Sequence, residues 1–233
     1  MKKLYIFFIS FILNASMLFG EPLLSPSTAN LEVKAGKFTL NMDVSLFEKN
    51  GIWVVSSKVS GIAKREEKET FLLEGKNIKP LEYSRKQKIL FKKNQSKAIF
   101  NWDASSLIFN ENKNKGNLQL EKSVLGPSTA TLKLRIDIKR FGLENLPETV
   151  KYKVYYNKKI KERIYKFGEI EEIETPMGKL RALKVSRIFL EGEDRKQIYW
   201  LSPEFDFSIV KIIDENKERK SDIRIKSINN LKS

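Results

Sequence analysis

Three groups of carboxylates are the first candidates for chemistry in this chain: Glu66-Glu67, Glu171-Glu172 and Glu191/Glu193-Asp194. Two acids facing each other at roughly 5–10 Å can divide acid and base work between them, as in glycoside hydrolysis. Each of these groups sits in a polar stretch among Lys and Arg, and so reads as a solvated hairpin face. The aspartates Asp43, Asp103, Asp194, Asp206, Asp214 and Asp222 are scattered and form no metal loop, and no glycine-rich phosphate loop is present. Histidine and cysteine are absent. Their absence removes the usual general base, the commonest zinc ligand, and both Ser-His-Asp and Cys-His nucleophiles. A carboxylate-dependent hydrolase is the enzymatic alternative that remains. The expectation is a protein that is not an enzyme, with no catalytic residues, no cofactor and no metal.

The N-terminus carries an address. Lys2 and Lys3 precede an apolar run from Leu4 to Leu13, followed by the small residues Ala15, Ser16 and Gly20. About ten apolar residues are too few to span a bilayer core of roughly 30 Å as a helix. The pattern is that of a secretory signal peptide over residues 1–20, with cleavage after Gly20 or, alternatively, after Ala15. With no cysteine the mature N-terminus cannot be lipid-anchored, so the expected location is the periplasm. An exported body without cysteines has no disulfides and is stabilised by packing alone. The net charge is +15, which attracts anionic surfaces such as lipid headgroups, while nucleic acid is not an expected partner outside the cytoplasm.

The elements behind the signal are mostly β. Residues 21–34 read as an irregular lead-in because Pro22, Ser25, Pro26, Ser27 and Thr28 crowd its first half; residues 35–233 read as one β-rich domain. Phe38, Leu40, Met42, Val44 and Leu46 alternate with polar residues, the mark of a strand with one dry and one wet face. Lys49-Asn50-Gly51 is a hairpin turn, and Thr175-Pro-Met-Gly178 is another tight turn. Asn110 to Asn117 is polar and reads as a loop or hairpin tip. Short strands at this regular spacing predict an antiparallel meander. The segment from Leu125 to Gly142 is ambiguous. Pro127 and Ser128 stand where a helix would start, yet Ala130, Leu132, Leu134, Ile136 and Ile138 alternate with period two, which favours a strand.

Several motifs together resemble a family of exported bacterial proteins carrying domain of unknown function 3108. They are the strand-turn-strand run from Glu174 to Val185, Tyr199-Trp-Leu-Ser-Pro203 followed by Ile209-Val-Lys211, Pro80-Leu-Glu-Tyr83, and Ile99-Phe-Asn-Trp102. The resemblance spans Ala35 to Ile228. It implies a curved antiparallel sheet, an incomplete β-barrel with one short helix near residues 123–136, similar to lipoprotein-carrier folds. At the helix entry the family has an acidic residue before its proline; this chain has Leu125-Gly-Pro-Ser instead.

A half-barrel of that kind would gather Phe38, Leu40, Met42, Trp53, Tyr83, Phe100, Trp102 and Trp200 on its concave face as an apolar pocket. The functional expectation is an uncharacterised envelope protein that binds a lipid or acyl chain there, with lysine clusters meeting anionic headgroups at its mouth. The alternative is a periplasmic structural or assembly factor that contacts another envelope protein.

Overall fold

A computed structural model describes residues 22–89, 92–189 and 194–230. The export segment and the Glu191/Glu193 acids lie outside the described residues. The strands are β1 (Ser27–Ala35), β2 (Phe38–Lys49), β3 (Ile52–Ser60), β4 (Ala63–Glu74), β5 (Asn77–Ile89), β6 (Lys92–Asn101), β7 (Ser106–Glu111) and β8 (Asn114–Gln119), then the helix α1 (Pro127–Phe141). There follow β9 (Thr149–Tyr156), β10 (Lys159–Thr175), β11 (Gly178–Ile188), β12 (Arg195–Ser202), β13 (Ser208–Asn216) and β14 (Lys220–Asn230). All 14 strands form one unclosed antiparallel sheet, in the order β8-β7-β6-β5-β4-β3-β2-β1-β14-β13-β12-β11-β10-β9. The curved, mostly β architecture with one helix follows the sequence expectation.

The turns obey local rules. Asn50 and Gly51 both take positive φ, 53° and 77°, which matches the twist of the β2–β3 hairpin. Thr175 Oγ1 accepts from the Met177 N–H and donates to the Gly178 carbonyl, closing the β10–β11 turn. One expectation needs correction: the lead-in is strand from Ser27, because β1 pairs with β2 on one side and β14 on the other. The polar run from Asn110 to Asn117 is a hairpin tip, one of its two expected readings, joining β7 to β8. There Gly116 stands opposite Phe109, and a Cβ on Gly116 would sit 2.5 Å from the ring. The aromatic ring covers the backbone where the glycine has no side chain to pack.

The sheet rolls like a scroll. On β9, Tyr152 and Val154 join the main core around α1, while Tyr155 packs with Tyr83, Phe100 and Leu107 of β5–β7 in a second cluster. One edge of the sheet is therefore tucked against the concave side of the other half. Leu125 exchanges backbone hydrogen bonds with Lys153 and Tyr155, so the chain entering α1 is stitched along β9.

Helix α1 fills the scroll. It extends from Pro127 to Phe141, beginning and ending later than the expected 123–136. Leu134, Ile136 and Ile138 are fully buried and Leu132 nearly so. Burial of each is worth about 1.5–3 kcal/mol. A helix surrounded by sheet is dry on nearly every side and needs no 3.6-residue apolar stripe, which is why its period-two pattern imitated a strand.

The N-terminus of α1 shows how the missing acid is replaced. Glu69, fully buried on β4, accepts from the backbone N–H groups of Ser128 at 2.6 Å and Thr129 at 3.1 Å. A carboxylate from a distant strand thus satisfies amide groups that a local cap would otherwise take. Gly126 lets it approach: a Cβ there would lie 2.7 Å from the Glu69 carboxyl carbon. At the far end Arg135 and Lys139 both bind Asp206.

Candidate functional site

The inner face of β4 alternates Arg65, Glu67, Glu69 and Phe71 from the open end inward. Phe71 stacks on Trp53, centroids 6.3 Å apart, and Glu69 caps the helix. Glu67 accepts from the Tyr83 hydroxyl at 3.0 Å and from Arg65 at 2.7 Å. The interior therefore changes from apolar to charged along a single strand. This was readable in principle, because Arg65, Glu67 and Glu69 share the phase of Phe71. The density of charge around them pointed instead to a solvated face.

Beyond the apolar layer the same end is lined with arginines. On the inner face of β10, Arg163 is only 8% exposed and Tyr165 is fully buried. Arg187 on β11 stands opposite Tyr165. Arg195 on β12 is held in a bidentate pair by Asp214 on β13, at 2.9 and 2.7 Å. Tyr156 at the end of β9 is a hub: the guanidiniums of Arg85 and Arg163 lie 5.6 and 5.4 Å from its ring centre, and Arg65 and Arg195 are electrostatic neighbours of its hydroxyl. Phe189 carries Arg187 at 4.3 Å and Arg195 at 5.6 Å. Below, Tyr152, Tyr165 and Tyr199 form a tyrosine layer with centroid spacings of 5.7 and 6.1 Å.

The charges here do not balance. Arg65 has Glu67, Arg85 has Glu111 at 3.9 Å, and Arg195 has Asp214. Among the described residues Arg163 and Arg187 have no carboxylate partner. Burial, and after it the neighbouring Arg163 cation, lowers the affinity of Arg187 for its proton. Arg187 Nε and the Tyr165 hydroxyl are buried without a hydrogen-bond partner among the described residues. A buried unpaired cation and buried unsatisfied donors are costly. An anion placed among them would supply the missing charge and acceptors, and guanidinium forks suit phosphate or carboxylate in a bidentate manner.

The eight residues expected to share an apolar pocket do not converge. Tyr83, Phe100 and Trp102 belong to the cluster around Tyr155, where the Trp102 indole donates to the Pro80 carbonyl. Trp53 packs against the main core beside α1. Trp200 faces the opposite side of β12 from Tyr199 and Leu201. It lies in a third core with Ile173, Leu180, Val210 and Ile225, its indole donating to Glu171 at 2.5 Å. Phe38 is 44% exposed. Only Leu40 and Met42 remain half-buried on the inner face at the arginine end, Met42 in register with Val59 and through it with Arg65. The concave face expected to receive an acyl chain is occupied along most of its length by α1.

The acidic pairs separate as well. Glu66 and Glu67 are adjacent on a strand and point to opposite faces, and Glu171 holds Trp200 while Glu172 pairs with Lys179. Among the described residues no group of three acids is placed to hold a metal ion, and no helix is long and apolar enough to cross a membrane.

Comparison with known proteins places the chain in a family. The family profile "Protein of unknown function (DUF3108)" matches residues 27–217, and the chain belongs to that family. No curated protein matches it in sequence. Among solved structures, the β-barrel-like protein of domain of unknown function DUF1849 from Brucella abortus is similar over 90% of this chain and 99% of its own, with TM-score 0.58 and 9% identity. That likeness is one of fold. A candidate lipoprotein from Parabacteroides distasonis covers 89% of this chain and 97% of its own, at TM-score 0.36 and 12% identity. A candidate exported protein with a YmcC-like fold from Bacteroides fragilis covers 90% and 98%, at TM-score 0.32 and 12% identity.

Proposed function

We propose that this member of the DUF3108 family is an exported, non-catalytic protein of the periplasm that binds an acid-bearing amphiphile at the arginine-lined end of its scroll. The observation that carries the reading is Arg163, nine-tenths buried, with Arg187 beside it and no carboxylate for either among the described residues. A buried guanidinium with no carboxylate, beside a second one, is a fit for an anionic ligand group. The apolar part of the ligand would rest on Leu40 and Met42, since α1 fills the deeper interior. The N-terminal signal pattern supports export.

Binding without catalysis fits the state of the acids. Glu67 is engaged by Arg65 and Tyr83, and Asp214 by Arg195 and Gln197. Glu69 has a perturbed carboxyl, but it is enclosed by Gly126 and the start of α1, out of reach of a substrate.

The test is thermal unfolding with inorganic phosphate and with decyl phosphate as probes. Wild type should gain stability with concentration, because a ligand that binds only the native state stabilises it by mass action. Decyl phosphate should act at lower concentration than phosphate. Arg163→Met should raise the melting temperature without ligand and abolish the response. Loss of stability in Arg163→Met, or a response that survives it, would refute the proposal.

A further inference from the structure

Outside the arginine site the strand register creates a second basic feature. Lys64 on β4 stands directly opposite Lys88 on β5, which stands directly opposite Lys93 on β6. Three like charges in one cross-strand row repel at about 5 Å spacing and destabilise a sheet. The next row, Lys58, Glu66 and Lys86, contains the one acid lining this region. These five lysines are exposed and make no ion pair among the described residues. Together with Gly61 and Arg65 they border an open cleft of about 560 Å³. Beside it, in the β3–β4 turn, Ile62 is 62% exposed, the most exposed large apolar side chain among the described residues.

From this pairing of an unsatisfied lysine row with an apolar turn tip we infer that the β3–β6 end of the sheet docks on an anionic lipid bilayer. Lysines near such a surface are drawn to its headgroups. An apolar side chain held at the same level enters the boundary between headgroups and acyl chains. A soluble acidic polymer would satisfy the lysines and leave Ile62 without a role, and so the lipid surface fits better. The docking surface is distinct from the arginine site, although Arg65 borders both, so bilayer docking would present the open end of the scroll to the membrane.

The chain from Glu21 onward, checked for folding by circular dichroism, would be floated with vesicles of phosphatidylglycerol and phosphatidylcholine in equal amounts and with phosphatidylcholine alone. The expected result is flotation with the anionic vesicles only, weakening as salt is raised. Each lysine at a surface contributes roughly fivefold, so K64E/K88E/K93E should lower binding by about 100-fold or more. Ile62→Ser should lower vesicle binding several-fold and leave binding to soluble polyglutamate unchanged. Arg163→Met should float as wild type does, which separates this inference from the ligand site. Equal flotation with neutral vesicles, full binding by the triple variant, polyglutamate binding as tight as vesicle binding with no effect of Ile62→Ser, or loss of flotation in Arg163→Met would each overturn it.

Discussion

Substitution of Glu69 tests the link between sheet and helix most directly. Burial pushes the Glu69 carboxyl up to about 7, against the Ser128 and Thr129 donors that pull it down. A folded-state pKa above the ordinary 4.5 means that the native state holds the proton more tightly than the unfolded chain. Its stability contribution is then fully present below pH 4.5 and is lost as pH rises through 7. A shift of about 2.5 units corresponds to roughly 3 kcal/mol. That value already contains the pull of the Ser128 and Thr129 donors at the positive end of α1; relaxation of a buried site takes up part of the desolvation penalty, so the net decline lies between about 1 and 3 kcal/mol. Glu69→Gln keeps an acceptor and the shape but cannot ionise. Urea unfolding followed by far-UV circular dichroism should show wild type and Glu69→Gln close together at pH 5. At pH 8 the variant should be the more stable by about 1–3 kcal/mol. Glu69→Ala removes both acceptors and strands two buried amides, each costing about 1–3 kcal/mol, so it should be destabilised at every pH. A stability difference between wild type and Glu69→Gln that does not change with pH would refute the reasoning, as would a Gln variant as damaged as the Ala variant.

The same helix carries two further predictions. Gly126→Ala drives a Cβ into the Glu69 carboxyl and should cost about 1–3 kcal/mol. In a double-mutant cycle with Glu69→Ala the two costs should fall short of additivity, because the clash partner is gone. Asp206→Ala leaves the Arg135 side chain, 7% exposed, without its carboxylate, and should cost about 3–5 kcal/mol as read from the urea midpoint. Trp200→Phe removes the indole donor to Glu171 and should cost about 1.5–3 kcal/mol in the same assay.

The helix illustrates the limits of reading along the chain. From Ala130 to Ile138 the apolar residues alternate, and an amphipathic template assigns that pattern to a strand. The template presumes one wet face, and enclosure by the scroll removes that presumption. The missing acid before Pro127 similarly made the helix entry look uncapped. The cap comes from Glu69, about 60 positions earlier, brought there only when β4 curls over the N-terminus of α1.

The strands and turns were legible because their causes are local. Period-two alternation, Asn50-Gly51 and the Thr175–Gly178 turn depend on neighbours within a few residues. The antiparallel meander follows from their spacing, and the absence of histidine and cysteine bounds the chemistry without any coordinates. Which face of a strand becomes concave is decided elsewhere. Trp200 and Tyr199 are adjacent in sequence yet enter different cores, and Arg163 and Arg187 look like solvated charges until the scroll closes over them. Alternation separates two faces but cannot say which of them the curvature will bury. That choice belongs to the tertiary structure, and it is what moved the candidate site from eight apolar and aromatic residues to a group of arginines at the open end of the scroll, with Arg163 buried among them.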